Sequence, residues 1–144
     1  MDSRQEIIDL IPHRDPFLWV DQIISCTADT IVTAKTIPRE LDIFKGHYPG
    51  NPIMPGVLLC EAIFQSGALL MAKQKITDGM AAATTPVLTR INSARFKRTI
   101  LPGDALQITV RITESLSSVY FFKGTMKVDG KVAVQVDFAC TVTS

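Results

Sequence analysis

Histidine, tryptophan and cysteine are scarce in this 144-residue chain, with two, one and three copies. The cysteines, Cys26, Cys60 and Cys140, lie far apart, are odd in number and form no C-x-x-C pair. A disulfide framework and a dithiol redox motif are therefore not indicated. All three sit among apolar residues, which points to reduced, buried thiols and a cytosol-like compartment. Charge of one sign is also missing: 15 Lys and Arg face 14 Asp and Glu, for a net charge of +1. Nothing global then suggests binding to nucleic acid or a membrane surface. The N-terminus, "MDSRQEIIDL", is acidic and amphipathic and lacks the apolar core of a signal peptide. The longest uncharged stretch of the most apolar segment, Ala62 to Ala72, is too short to span a bilayer. These features predict a cytoplasmic protein without membrane insertion. Repeats, low-complexity tracts and linkers are absent, so residues 1–144 are expected to form one domain.

What is present is an ordinary globular composition, 47% hydrophobic and 20% charged. A short helix is predicted over residues 3 to 10, ending before Pro12. Residues 17 to 27 ("FLWVDQIISCT") and 30 to 37 ("TIVTAKTI") are rich in β-branched and aromatic residues and read as strands. A Pro/Gly loop follows from Pro38 to Pro55. Residues 56 to 75 are the one long helix candidate, with Pro55 at its start and apolar side chains on nearly every face. Such a helix is expected to be buried all round. The second half alternates with period 2 in residues 86 to 100, "DALQITVRIT", "VYFFKGTMKV" and "KVAVQVDFACTV", and Asp129-Gly130 marks a two-residue hairpin. The expected fold class is α+β, with an antiparallel sheet of about six strands against one long helix.

The stretch "GHYPGNPIMPGVLLCEA" concentrates the chemistry. His47 sits in a loop stiffened by Pro49, Pro52 and Pro55, and a neutral imidazole suits proton removal near pH 7. Glu61 interrupts the apolar helix. Burial there would penalise its charged form and favour a general acid. Gln65 lies four residues on, within reach of Glu61 on the same helix face. The helix start at Gly56 and Val57 offers unpaired N–H groups and a positive dipole end for an oxyanion.

These residues closely resemble the signature of the 3-hydroxyacyl-[acyl-carrier-protein] dehydratases of the FabZ type, G-H-[FY]-P-G-x-P-[IV]-M-P-G-V-L-x-x-E-A-x-x-Q. The match runs through His47, Pro49, Gly50, Pro52, Met54, Pro55, Gly56, Glu61 and Gln65. It extends upstream to "IPHRDPFLWVDQI" and downstream to "ARFKRTILPGDAL", covering nearly the whole chain in order. The resemblance implies a hot-dog fold, the long helix wrapped by the sheet. It also implies a homodimer with His47 of one subunit facing Glu61 of the other, and in some members a trimer of dimers. His47 would take the α-proton, Glu61 would protonate the leaving hydroxyl, Gly56 would hold the thioester oxygen and Gln65 would orient Glu61. No metal or redox cofactor is implied, because the thioester itself acidifies the α-proton. Glutamate rather than aspartate at 61 implies dehydration without double-bond isomerisation.

The chain departs from the family pattern at Asp15, Phe64, Val87 and Arg90 to Ser93, all along the presumed acyl tunnel. His13 and Arg14 read as a turn that anchors the first strand by side-chain hydrogen bonds. The one dense basic cluster, Arg95, Lys97 and Arg98, suits the landing of an acidic acyl carrier protein. Alternation places Arg95 and Lys97 on one strand face and Phe96 on the other. The alternatives on the same scaffold are a thioesterase, an enoyl-CoA hydratase or a non-catalytic acyl-binding module.

Overall fold

Period-2 alternation turns the second half of the chain into an antiparallel meander. The computed structural model describes residues 3–77 and 85–143. Its elements are α1 (Ser3–Leu10), β1 (Gln22–Cys26), β2 (Thr30–Thr36), a 3-10 turn (Asp42–Lys45), α2 (Gly56–Lys73), β3 (Thr85–Phe96), β4 (Ala105–Leu116), β5 (Val119–Val128) and β6 (Lys131–Thr143). The strands form one six-stranded sheet in the order β1-β2-β4-β5-β6-β3, with every pairing antiparallel. The β5–β6 hairpin turns at Asp129 (φ 52°) and Gly130 (φ 74°). Two successive positive φ values give the type I′ turn, whose twist matches the flanking strands.

The inner face of the sheet carries Ile108, Val110, Phe122, Met126, Val134, Val136 and Phe138, all buried against α2 with Ile63, Leu69 and Leu70. Burying each such side chain stabilises the fold by about 1.5–3 kcal/mol. Gly124 lets the helix lie close on the sheet, since a Cβ there would stand 2.3 Å from Ile63 Cγ2. This is the hot-dog arrangement, a sheet curled round one long helix.

The structure departs from the sequence reading at several points. Only residues 22–26 of the expected 17–27 strand pair with a neighbour. Leu18, Trp19 and Val20 are buried, but the main chain at Phe17 and Trp19 bonds the Gln65 side chain rather than a strand. The last strand before the "LPGD" turn stops at Phe96, because the Lys97 and Arg98 amides both turn to the Ala133 carbonyl. Helix α2 is not buried all round: Val57 is 76% exposed, and Glu61, Phe64 and Ala68 continue the opening along one stripe. Taken whole, α2 is 18 residues long and apolar enough by length and composition to cross a membrane, with 67% of it buried in the protein. The uncharged stretch underestimated that length because Glu61 lies inside the helix.

β3 lies at one edge of the sheet and is 12 residues long. Leu88, Ile91 and Phe96 pair across the strands with Cys140, Phe138 and Val134, so they share the inner face. Their partners are buried, yet these three are exposed. The open helix stripe and the open residues of β3 both leave large apolar side chains exposed in the single chain.

Candidate active site

The loop before α2 is a small closed ring of backbone hydrogen bonds. Tyr48 and Asn51 exchange N–H···O bonds of 3.1 and 2.9 Å around Pro49-Gly50, and the Ile53 amide donates to His47 O at 3.0 Å. Gly50 has φ 72°, the conformation that a turn with proline before it requires of its second central residue. His47 Nδ1 lies 2.7 Å from the Ile53 carbonyl. A carbonyl only accepts, so Nδ1 carries the proton and Nε2 presents its lone pair. The Tyr48 ring stacks on the imidazole at 4.1 Å, and the peptide between the two residues is cis. The ring thus delivers a fixed imidazole with one basic nitrogen.

At the head of α2 the Leu58 and Leu59 amides both donate to Pro55 O, at 3.1 and 3.2 Å. The Gly56 and Val57 N–H groups precede them and have no acceptor among the described residues. They remain the free donors of a helix N-terminus. A Cβ at 56 would stand 2.9 Å from the Phe96 ring, so glycine lets that ring rest against the helix start. A cavity of about 290 Å³ opens there, lined by Ile53, Met54, Gly56, Leu59, Phe96 and Lys97 among others. Ile53, the residue that holds His47, is thus part of its wall.

One turn further along α2, the i, i+4 pair meets as expected, with Gln65 Nε2 donating to Glu61 Oε2 at 3.0 Å. Gln65 is 1% exposed and fully used, since its Oε1 accepts the Trp19 N–H and its Nε2 also donates to Phe17 O, each at 2.8 Å. Those two backbone bonds fix which way the amide faces. Glu61 Oε2 is therefore an acceptor, and a proton on this carboxyl belongs on Oε1. Glu61 is partly buried in the single chain, its side chain 24% exposed on the open stripe.

His13, read from the sequence as part of a turn, stands beside the acid. Its Nε2 lies 3.8 Å from Glu61 Oε2, and both line a cavity of about 170 Å³ with Phe64, Gln65, Leu88 and Cys140. Burial pushes the His13 pKa down, opposed by the Glu61 charge and reinforced by Arg14. Arg14 anchors the turn to α1 rather than to the first strand: its guanidinium donates to the Ile8, Ile11 and His13 carbonyls. The proline-bounded "PHRDP" with only one other histidine in the chain was the available signal. Contact with a helix about fifty residues away was not visible in it.

The basic cluster is divided. Lys97 and Arg98 line the cavity at the head of α2. Arg95 instead lines a groove on the outer sheet face with Lys123, Gln135 and Asp137. The end of β3 at Phe96 causes the split, so Arg95 and Lys97 do not share one strand face as expected. Phe64 packs edge-on against Phe138 at 4.9 Å. Cys60 and Cys140 are buried free thiols whose pKa values burial raises, to about 11 for Cys140. Among the described residues no three His, Cys, Asp or Glu side chains group as metal ligands.

Three kinds of likeness accompany this geometry. Residues 11–137 match the model of the FabA-like domain family. The chain is 41% identical over 138 residues to a protein of Caulobacter sp. (strain K31) named 3-hydroxyacyl-[acyl-carrier-protein] dehydratase FabZ, covering 95% of this chain and 83% of that one. Among solved structures, the dehydratase heterocomplex ApeI:P from Xenorhabdus doucetiae superposes with TM-score 0.77 at 16% identity, covering 96% of this chain and 91% of that one. A hypothetical thioesterase with coenzyme A from Streptococcus pneumoniae TIGR4 gives TM-score 0.65 at 12% identity, covering 85% and 88%. The two structural likenesses concern the fold alone.

Proposed function

The chain belongs to the FabA-like family, and from that premise we propose that it dehydrates 3-hydroxyacyl-[acyl-carrier-protein] thioesters to trans-2-enoyl thioesters in fatty-acid synthesis. The observation that carries the reading is a pair of side chains whose reactive atoms are each singled out by a fixed partner. Ile53 leaves His47 with a basic Nε2, and Gln65 leaves Glu61 with Oε1 for its proton. His47 Nε2 takes a proton from C2 of the thioester. The C3–O bond breaks, and the hydroxyl departs as water with the proton of Glu61. The C2=C3 double bond forms, and the transient charge on the thioester oxygen is held by the Gly56 and Val57 amides. Transfer of a proton from His47 back to Glu61 through solvent resets the site.

The two halves of this machinery come from different subunits of a homodimer. Support comes from the long edge strand β3 and from the exposed large apolar side chains of Val57, Leu88, Ile91 and Phe96. A second copy laid there also covers the exposed part of Glu61. Lys97 and Arg98 flank the helix-head cavity and are the carrier-protein contact, with Arg95 further out on the sheet. The enzyme works in the cytoplasm, where Cys26, Cys60 and Cys140 stay as thiols.

The test is a discontinuous assay with 3-hydroxyacyl thioesters of graded length, reading enoyl formation and free thiol separately. Enoyl product without thiol release is the expected result. Thiol release without enoyl product would move the protein to the thioesterases, and neither product would leave an acyl-binding module.

A further inference from the structure

His13 stands in the acid half of the site without a role in the mechanism above. Arg14 pins the carbonyl of residue 13 to the end of α1, so the ring is presented from a fixed backbone. Its Nδ1 is buried with no hydrogen-bond partner, while Nε2 faces Glu61 Oε2 at 3.8 Å. A buried polar edge without a partner carries a penalty that an apolar side chain of similar size avoids. Packing alone therefore gives a poor account of histidine at this position. Gln65 already occupies Oε2 at 3.0 Å. Two protein groups thus converge on one oxygen of the carboxyl and leave the other open.

We propose that His13 is a positioning residue for the general acid: with its proton on Nε2 it secures Glu61 Oε2 as an acceptor, so that the transferable proton of Glu61 is confined to Oε1. The inference rests on the dehydratase reading and names a third residue for its acid half. At 3.8 Å the contact is longer than a direct hydrogen bond, and one bridging water or a small closure on substrate completes it. The surrounding charges suit a neutral imidazole. Burial is the main influence and lowers the His13 pKa, with Arg14 acting in the same direction and only Glu61 opposing. From β6 the cavity presents Cys140, a thiol pushed up to about 11, and from β3 it presents Pro86 and Leu88. From α1 the adjoining cavity presents Leu10. A neutral neighbour lets the carboxyl keep its proton, whereas an imidazolium there would hold Glu61 ionised.

Two measurements test this on the full-length protein. The first is a ¹⁵N imidazole NMR titration, with His13 assigned by comparison with His47→Ala. Above its titration the neutral His13 ring should carry its proton on Nε2, with Nδ1 resonating as the unprotonated nitrogen. An Nδ1–H tautomer overturns the pairing, whatever the thioester assay gives, so failure here is distinguishable from failure of the dehydratase reading. The second is the pH profile of turnover in two variants. His13→Leu removes the donor, so kcat should fall roughly tenfold, the worth of one supporting hydrogen bond, with KM little changed. Its basic limb should move to higher pH, because the carboxylate has lost a stabilising N–H. His13→Gln keeps an N–H donor and should recover most of the rate and the wild-type limb. Equal losses in both variants with an unmoved limb would make His13 a structural residue only. If His13→Leu does not fold, the NMR titration decides alone.

Discussion

The loop that carries His47 and the strap that carries His13 both lead to α2, and they are built in opposite ways. The His47 loop holds itself: His47, Tyr48, Asn51 and Ile53 bond one another within seven residues of chain, backbone to backbone and imidazole to carbonyl. The strap from Ile11 to Val20 has one backbone turn, Phe17 N–H to Arg14 O at 2.8 Å, and is otherwise held by side chains. Arg14 clips it to α1, and Gln65 of the helix takes both Phe17 O and the Trp19 N–H. The base is therefore a local structure and the acid a tertiary one. The geometry of the base is set by its sequence neighbours, while the acid is only as precise as the packing of the strap on α2.

The sharpest way to break the comparison is to remove its two ends. His47→Ala and Glu61→Gln should each lower dehydration by about 10²-fold or more while circular dichroism and elution volume stay those of the wild type. Near-normal turnover in either purified variant would contradict the assignment. Gln65→Leu attacks the tertiary half only. It strands a part-buried carbonyl and a buried N–H, so urea unfolding should report a loss of roughly 1–3 kcal/mol for the buried N–H and less for the carbonyl. Turnover should fall less than in Glu61→Gln, since the carboxyl itself remains.

The same contrast explains what could be read from the chain. The hairpin at Asp129-Gly130, the helix start after Pro55 and the pairing of Glu61 with Gln65 depend on neighbours a few residues apart, and all are present. The strand expected from residue 17 was lost because Phe17 and Trp19 meet Gln65, separated from them by 48 and 46 residues. His13 escaped for the same reason, and its meaning lies in Glu61. The even burial expected of α2 failed because apolar composition does not tell whether the cover comes from the same chain. The division of Arg95 from Lys97 and Arg98 depended on a strand end set by the Ala133 carbonyl of β6.

Smaller effects sharpen the map of the two ends. Lys97→Glu with Arg98→Glu should raise KM for carrier-protein substrates several-fold at low salt and much less at high salt, because exposed charges act over a screening length of about 8 Å at physiological salt. A short soluble thioester should react as before. The matching pair Arg95→Glu with Lys123→Glu, on the outer sheet face, should do less, and the reverse order would move the carrier site there. The smallest expected effect is on stability. His13 has its pKa lowered by burial, so the unfolded chain binds its proton more readily than the folded one. That contribution is fully present above the ordinary histidine value of about 6.5 and is lost as pH falls through the lower folded value. Urea midpoints should therefore drop on acidification across that range, and His13→Gln should flatten the slope.

The proposed site joins a local base to a tertiary acid across two copies of the chain. Mixing His47→Ala and Glu61→Gln proteins, with unfolding and refolding to exchange subunits, tests this most directly. Each mixed dimer holds one site with an intact His47 and an intact Glu61. Random pairing should then restore about a quarter of wild-type turnover from two inactive parents. Mixed dimers that form, as native mass spectrometry would show, yet remain as inactive as their parents would contradict it.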